Sequence, residues 1–462
     1  MTSIRCLHDW VDAVPLRDAI NQLNLASARP DPFSTFEFYS HYLRHLIATS
    51  PADVPRLWLL LAFDGDRLVG YMALKQTTHR VLGRRCLKLD WLTAHHADRP
   101  HLVARIEHEE AMAAAFYRYL IEPRQQWSLL EFQQQDDDSP LLPLGGALAH
   151  RRLTARCWPN MANGTIALSW STLADYCAEL PHKVRSNVRR QMRNLMAAGH
   201  LQLLGSDDPQ LTPLLFALYR HLEAHSWKHE AAATLDRDGD AAAYYAGLME
   251  GGQPMKLRIQ LLLLDGLPVA GLICGEFNQA SYALQIAYDA RLSPLAPGSA
   301  MLLFGIESAI DRGSRVFNLL WGFGYYKQRW LARMTPTQSL QIFRIGTPFW
   351  WRRILGDLRR HYRGGEDGDP TARHNPARDG LHPIEPAARR PDSAHDTKST
   401  LADRLADADE RVRIAAVVAR YRLGGGECRS AADIARRLPF NTERVDPKPA
   451  RRLPSSPAAH RS

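Results

Sequence analysis

A Pro/Gly loop that opens directly into a helix is the first stretch of this sequence whose residue types could do chemistry. The loop covers 293–299 and contains Pro297-Gly298-Ser299, and an apolar helical pattern follows it as far as Gly313. The first-turn N–H groups of such a helix and the positive end of its dipole together bind anions. A glycine at this point allows close approach of a ligand to the backbone. The pattern therefore predicts a phosphate-binding site at Gly298.

A basic helix is the second candidate for chemistry. The run 182–198 places its apolar residues on one helical stripe. Its other faces carry basic residues and no acid, and Lys183, Arg185 and Arg189 are among them. Two interpretations are open. The face is either a solvated surface or a collar for a phosphate or another anionic donor or acceptor.

Strands and a helix must position these residues. Three apolar runs typical of strands precede the loop, at 257–264, 268–277 and 281–288, and one follows the helix at 316–321. An earlier pair of runs within 57–74 repeats the pattern of an apolar run, an Asp-Gly turn and a second apolar run. This internal similarity predicts two copies of one fold.

The order of elements predicts an α/β (α+β) protein with mixed sheets flanked by helices. We expect an N-terminal domain over 1–170, a second domain over 171–345 and a basic tail over 346–462. The tail is rich in Pro, Gly, Asp and Arg. This composition predicts that it is mostly disordered, with short helices.

Charge and cysteine usage narrow the class of protein. The tail holds 23 Lys and Arg against 16 Asp and Glu, which is most of the net charge of +9. The body is therefore nearly neutral, and we do not expect nucleic acid as a partner. The six cysteines are scattered without a CxxC pair and no HExxH occurs, so neither a disulfide framework nor a metal site is predicted. The sequence has no signal-peptide pattern or long apolar run, which predicts a cytoplasmic protein.

The order and spacing of these motifs resemble the CelD/BcsL-like acetyltransferases, a branch of the GNAT fold found with bacterial cellulose and exopolysaccharide synthesis. The resemblance covers residues 175–330 and is weaker in the first half. In the related Fem-type transferases the GNAT fold occurs twice, so the resemblance implies tandem GNAT-like domains here. The motifs that carry it are Lys183-x-Arg185-x-x-x-Arg189-Arg190, Ala198-Gly199, Trp227-Lys228, Leu264-Asp265-Gly266-x-Pro268-Val269-Ala270, Ala287-Tyr288-Asp289, Pro297-Gly298 and Gly324-Tyr325-Tyr326-Lys327.

The resemblance implies acetyl-CoA as the acyl donor and no metal. The start of the helix would hold the pyrophosphate, and the strand before it would present its backbone to the pantetheine arm. Leu295 stands where this family usually has Arg or Gln, which leaves room for another acyl donor. The residues assigned to the donor are Ile286, Tyr288, Pro297, Gly298, Ser299, Ala300 and Met301.

The thioester is already activated, so the protein mainly positions an acceptor and manages one proton. Asp289 would be the base, or it simply begins the loop. Tyr325 or Tyr326 would be the acid for the departing thiolate, or the two pack under the sheet. Lys327 would stabilise developing negative charge or bind an acidic acceptor.

The implied acceptor is a carbohydrate, through a hydroxyl or amine of a sugar or polysaccharide precursor. Trp227 and Trp321 would form a stacking platform, although core packing is the commoner fate of a tryptophan. The residues assigned to the acceptor are Lys183, Arg185, Arg189, Trp227, Lys228 and Trp321.

Three alternatives stay open at this point. The donor could be an aminoacyl-tRNA, as in the Fem-type transferases, because the basic helix would suit its phosphates. The chain could also be a non-catalytic GNAT scaffold. The Trp-rich run 347–362 is either an interfacial helix, which would bring the protein to the inner membrane and a polysaccharide synthase, or a terminal helix docked on the second domain.

Overall fold

The computed structural model of the chain describes residues 2–51, 54–93, 97–148, 152–230, 234–236, 241–250, 252–322, 327–362 and 408–439. Its strands are β1 (Thr2–Leu7), β2 (Arg56–Asp64), β3 (Arg67–Val81), β4 (Arg84–Trp91), β5 (Val103–Ala104), β6 (Leu129–Asp136), β7 (Leu153–Ala167), β8 (Leu201–Ser206), β9 (Lys256–Leu264), β10 (Leu267–Phe277), β11 (Ala280–Tyr288), β12 (Val316–Trp321), β13 (Arg333–Arg344) and β14 (Glu427–Ser430). Its α-helices are α1 (Arg17–Leu25), α2 (Phe36–Thr49), α3 (Glu109–Leu120), α4 (Leu141–Ala147), α5 (Leu173–Glu179), α6 (His182–Ala198), α7 (Thr212–Glu223), α8 (Trp227–Glu230), α9 (Ala241–Met249), α10 (Pro297–Asp311), α11 (Pro348–Tyr362), α12 (Ala408–Leu423) and α13 (Ala431–Arg437).

The apolar runs of the sequence form two sets of adjacent antiparallel strands. β1, β2, β3 and β4 are neighbours in the first half, and β8, β9, β10 and β11 are neighbours in the second. The β9–β10 turn is Asp265-Gly266, both with positive φ, as a tight hairpin requires. β2 and β9 are buried along almost their whole length, which explains why they are continuous apolar runs and not alternating ones.

The two halves repeat one topology. A crossover that contains α3 joins β4 to the parallel strand β6, and a crossover that contains α10 joins β11 to the parallel strand β12. Each parallel pairing is three residue pairs long, and the strands part beyond it. This repetition agrees with the internal similarity of the sequence. The mixed α/β fold with helices on the sheet, predicted from the order of elements, is confirmed.

The halves are joined by exchanged strands, which the sequence did not predict. β7 follows the first half in the chain but pairs with β12 of the second half, and β13 follows the second half but pairs with β6 of the first. β7 and β13 also pair with each other. The described strands therefore form one continuous sheet, with β6, β13, β7 and β12 at its centre. The division into domains at residue 170 stays a prediction.

One apolar core extends across both halves on one face of the sheet. It draws on α1 and α2 of the first half and on α7 and α9 of the second. The rings of Phe33 and Tyr282 meet edge to face at 5.6 Å, and the His41 ring nitrogen Nε2 lies 2.9 Å from the Tyr244 carbonyl oxygen. On the other face, α3 and α4 cover the first half, while α5, α6 and α10 cover the second. The junction of the halves is therefore buried on the α1/α7 face.

Part of the predicted tail belongs to the fold. β14 pairs with β8 at the edge of the sheet, and the Tyr421 hydroxyl of α12 lies 2.8 Å from the Gly205 carbonyl oxygen. α11 packs against β3, β4 and β13, where Phe349 is buried. The remaining tail residues, 363–407 and 440–462, lie outside the described ones. No helix in the described ranges combines the length and apolar character needed to cross a membrane.

Candidate active site

The opening between β11 and β12 is the centre of the candidate site. Their parallel pairing ends at Tyr282 and Asn318. Beyond this pair β11 continues to Tyr288 alongside β10, whereas β12 stays with β7 and passes through a β-bulge. Leu320 in the bulge has a φ of 59°, and its N–H donates to Asn318 Oδ1 at 2.8 Å. Because a bulge bends its strand, the two strands diverge here.

The helix α10 begins beside this opening. Ala296 has left-handed backbone angles, and Pro297 follows as the first helical residue, where its missing N–H has no cost. A Cβ on Gly298 would lie 2.7 Å from Tyr288 Cδ1, so only glycine fits against this ring. The first turn of α10 contains no acidic residue, so no carboxylate opposes an anion at this helix start.

Burial separates the predicted donor residues into two groups. Ile286 and Tyr288 alternate along β11 and are half-buried, and Gly298 and Ser299 are half-buried at the helix start. Pro297, Ala300 and Met301 are buried, and the last two belong to the core. The first group can reach a ligand directly, whereas the second group packs beneath the helix start.

Lys327 lies beneath the end of β12. Its side chain is buried, and Nζ donates to the carbonyl oxygens of Leu319 and Leu320 at 3.0 and 2.6 Å. A Cβ on Gly164 of the exchanged strand β7 would lie 2.8 Å from Lys327 Cδ, so glycine makes room for this chain. Burial lowers the pKa of Lys327 to about 8, and the negative charge of Asp98 opposes this effect. An amine with such a pKa can carry a proton in either direction near neutral pH.

The charge that acts on Lys327 is that of Asp98, which lies in a buried loop of the first half. Asn163 Nδ2 donates to Asp98 Oδ2 at 2.5 Å, and Arg99 Nε lies 3.4 Å from the same oxygen. Oδ1 of Asp98 is buried and has no hydrogen-bond partner in the described part of the chain. Burial raises the pKa of Asp98, against the opposing charges of Arg99, Arg29 and Lys327. A buried oxygen of this kind is expected where a ligand or water completes a site.

Two ion pairs fix this loop in place. Arg29 and Arg99 both bind Asp136 at the end of β6, at 2.5 and 3.0 Å. Asn163 also has a buried side-chain oxygen without a partner among the described residues. The sequence offered no signal for the cluster, because Asp98 and Asn163 lie 65 residues apart in the chain. Only the exchanged strands and the fold bring it to Lys327.

Asp289 occupies a structural position at the end of β11. Its side chain is fully buried and accepts from the Arg291 N–H at 2.9 Å, where it caps the short helix Ala290–Leu295. The Arg291 guanidinium binds the same carboxylate at 3.1 Å. Burial raises the pKa of Asp289, and Arg291 opposes the rise. This arrangement favours the interpretation that Asp289 begins the loop, and its role as a base stays a prediction.

Lys228 is buried in the core of the second half. Its Nζ binds Glu223 Oε1 at 2.8 Å and also contacts Gln285. Burial lowers the pKa of Lys228, and Glu223 opposes the effect. Trp227 beside it is half-buried. Lys228 therefore orders the segment after α7, and a direct contact with an acceptor would require this ion pair to open.

The basic helix α6 lies next to the donor helix. It packs against α10 and against the segment 290–295 that leads into it. Lys183 and Arg189 are exposed, while Arg185 is half-buried and donates to the Ala178 carbonyl oxygen at 2.8 Å. Arg185 and Arg189 line a cavity of about 400 Å³ between α5, α6 and Pro439. This cavity is therefore lined by cations of the helix that packs against α10, and the role of Lys183, Arg185 and Arg189 in binding the acceptor stays a prediction.

The remaining predictions concern two tyrosines, the tryptophan platform and the absence of a metal. Tyr325 and Tyr326 lie outside the described residues, so their roles stay predictions. Trp321 ends β12 and is half-buried, and it does not meet the other predicted platform residue in any ring contact of the described residues. His221, His225 and Glu410 are the one group of metal-type ligands that the described residues bring together. His221 Nε2 lies 2.7 Å from Glu410 Oε1, and the expectation of no metal stays a prediction.

Residues 182–328 match the family model described as "Acetyltransferase (GNAT) domain". The match begins at α6, includes the opening beside α10 and ends just after Lys327. It confirms the GNAT part of the resemblance and supports an acyltransferase, while the CelD/BcsL branch stays a prediction. A comparison with curated proteins finds no match.

Solved structures with similar folds are remote in sequence. FemX has 10% identity and a TM-score of 0.48, and the match covers 74% of this chain and 98% of FemX. L-PGS from Bacillus licheniformis has 12% identity and a TM-score of 0.39, with 73% and 98% covered. A tandem GNAT protein from the clavulanic acid biosynthesis pathway has 11% identity and a TM-score of 0.40, with 74% and 98% covered.

Proposed function

We propose that this chain is an acyltransferase that moves an acetyl group from acetyl-CoA to a hydroxyl or amine of a sugar or polysaccharide precursor. The observation that carries the proposal is the opening between β11 and β12, beside the glycine that begins α10. It lies within the segment that matches the GNAT model. We place the donor in this opening.

The donor would bind mainly through backbone and charge. The Gly298 N–H and the positive end of the α10 dipole would face the pyrophosphate, and no acidic side chain in the first turn of α10 opposes an anion there. The half-buried side chains of Ile286 and Tyr288 on β11 would run along the pantetheine arm. Leu295 supplies no cation, so we assign the charge complement to Lys183 and Arg189 on the neighbouring helix α6.

In the reaction the acceptor oxygen or nitrogen attacks the thioester carbonyl. A C–O or C–N bond forms, the C–S bond breaks, and one proton passes from the acceptor to the departing thiolate. Asp98 is a candidate to take the proton, since one of its oxygens has no partner among the described residues and burial raises its pKa. Lys327 supplies positive charge for the developing anion. Two groups with displaced pKa values suit opposite proton-transfer roles.

A thiol-release assay tests the proposal. The full chain is mixed with acetyl-CoA and a panel of sugars and amino sugars, and free CoA is measured with a thiol reagent. We expect acceptor-dependent release that Lys327→Met reduces by at least tenfold, while Lys256→Met, at the exposed first residue of β9, leaves it unchanged. Equal activity of Lys327→Met and the unmodified chain would contradict the role of Lys327.

A Fem-like aminoacyl transferase is the second candidate. The exposed cations of α6 favour it, because tRNA phosphates would suit such a face. Mass spectrometry of the purified chain separates the two candidates. Co-purified CoA supports the acetyl donor, and co-purified tRNA supports the aminoacyl donor.

We also propose peripheral attachment at the inner membrane through α11. Trp351, Leu355 and Leu358 lie at helical spacing on one stripe, and each is close to half exposed. An apolar stripe beside Arg352 and Arg353 is typical of an interfacial helix. Co-sedimentation with anionic liposomes at low salt tests this. Trp351→Ser should abolish binding, and no binding by the unmodified chain would end the membrane proposal.

A further inference from the structure

A second opening lies in the first half of the chain. The parallel pairing of β4 and β6 ends at Asp90 and Glu131, and a cavity of about 270 Å³ lies beyond it. This volume is near the lower limit of ligand pockets, ~300 Å³, so the cavity suits a single ring-sized group. By topology it is the counterpart of the proposed donor opening, since each follows a three-residue parallel pairing bridged by a crossover helix.

The crossover helix of the first half, α3, cannot serve a pyrophosphate in the way that α10 can. The first turn of α3 contains Glu109 and Glu110, whereas the first turn of α10 contains no acid. Two carboxylates at a helix start already occupy its positive end and repel a further anion. The repeated fold has therefore kept the opening in the first half but not the chemistry for a second CoA.

The walls of the cavity combine one aromatic face with planar polar groups. Trp321 supplies a half-buried indole, Asp90 and Glu131 supply carboxylates, and Gln133 supplies an amide. Lys88 binds both carboxylates, at 2.9 Å in the case of Asp90. Lys75 also lines the cavity, so two cations balance the two carboxylates and the cavity has little net charge. Oδ1 of Asp90 is buried and has no hydrogen-bond partner among the described residues. It requires a donor.

A sugar ring matches these walls. Its C–H face packs on an indole, and its hydroxyls both donate and accept, so they can donate to the orphaned carboxylate oxygen and accept from an amide. A ligand with a permanent charge would meet a wall whose charges already cancel.

The cavity also adjoins the proposed reaction centre. Ala97 and Pro100 line it, and Asp98 lies between them in the chain. On the other side Trp321 precedes Gly322, where a Cβ would lie 3.4 Å from Lys327 Nζ. A ring in the cavity could therefore extend a substituent towards both groups that we assign to proton transfer.

We propose that the first-half cavity binds the sugar ring of the acceptor, with its apolar face on Trp321 and its hydroxyls at Asp90, Glu131 and Gln133. This inference rests on the proposed function, which assigns the donor to the other opening. The first copy of the fold would thus hold the acceptor and the second copy the donor.

Saturation-transfer NMR and titration of the full chain with D-glucose test the inference, and cyclohexanol serves as a ring without vicinal hydroxyls. We expect D-glucose to bind and cyclohexanol not to bind. Asp90→Asn removes the charge of the orphaned oxygen, and we expect it to raise the Kd for glucose about tenfold. Trp321→Ala should have a similar effect. Asp137→Asn, on the exposed turn after β6, should leave the Kd unchanged.

The same samples are titrated with acetyl-CoA, so that the two proposals fail separately. Absence of glucose binding, equal binding of cyclohexanol, or wild-type affinity in both Asp90→Asn and Trp321→Ala would overturn the cavity assignment. Unchanged affinity for acetyl-CoA in the two variants supports it, because the donor lies in the other opening. If the unmodified chain bound glucose but not acetyl-CoA, the proposed function would be overturned and the cavity assignment would not. Circular dichroism confirms that each variant is folded.

Discussion

Replacing Lys327 by methionine should change how the stability of the protein depends on pH. Burial moves the pKa of Lys327 from 10.5 to about 8. Holding the protonated amine in the folded state therefore costs about 3 kcal/mol of stability. Below about pH 8 the amine is protonated in both the folded and the unfolded states, so this cost is fully present. Between about pH 8 and 10.5 the unfolded state binds more protons, and stability therefore rises with pH.

Urea denaturation at two pH values measures this effect. From about pH 7.5 to about pH 9.5 the unmodified chain should gain about 2 kcal/mol of unfolding free energy relative to Lys327→Met. Lys327→Met also loses the hydrogen bonds to the Leu319 and Leu320 carbonyl oxygens. This loss is the same at both pH values, so it cancels in the comparison. Lys183→Met, on the exposed face of α6, should run parallel to the unmodified chain. Parallel curves for Lys327→Met would refute the reasoning, because they would place Lys327 in water.

Two further predictions concern the groups around this lysine and the donor helix. Asp98→Asn removes the charge that opposes the fall in the pKa of Lys327, so the midpoint of the pH-dependent difference should move below about 8; an unchanged midpoint would show that the two groups do not interact. Gly298→Ala places a methyl group 2.7 Å from Tyr288 Cδ1 and should lower the unfolding free energy by about 1–3 kcal/mol. Gly146→Ala, a helical glycine with open space around it, should not lower it, and equal losses in urea denaturation would contradict the packing argument.

The strands of the two hairpins could be predicted because their pattern is local. The runs predicted at 257–264, 268–277 and 281–288 match β9, β10 and β11 to within one residue at either end. Both exchanged strands were missed. β7 and β13 mix polar and apolar residues and contain Pro159 and Pro336, which is unusual for central strands. Pro336 lies at a register shift of the β13–β7 pairing, where a ladder hydrogen bond is not required.

The residues of the candidate site could likewise be predicted only in part. Gly298 and Lys327 could be selected from the sequence because each follows a recognisable strand or loop. Asp98 could not, since its importance comes from burial against residues that are distant in the chain, such as Asn163 and Lys327. Lys228 was predicted to bind the acceptor because it follows Trp227, yet in the structure it forms a buried ion pair with Glu223. Spacing predicts which residues share an element, but not which charges the fold neutralises.

Calorimetric titration of the full chain with acetyl-CoA shows whether the opening between β11 and β12 holds the acyl donor. We expect acetyl-CoA to bind at one site in the unmodified chain and in Gly146→Asp. Gly298→Asp should not bind, because it adds both a side chain against Tyr288 and a negative charge at the helix start. Absence of binding by the unmodified chain, or equal binding by Gly298→Asp, would contradict a donor site between β11 and β12.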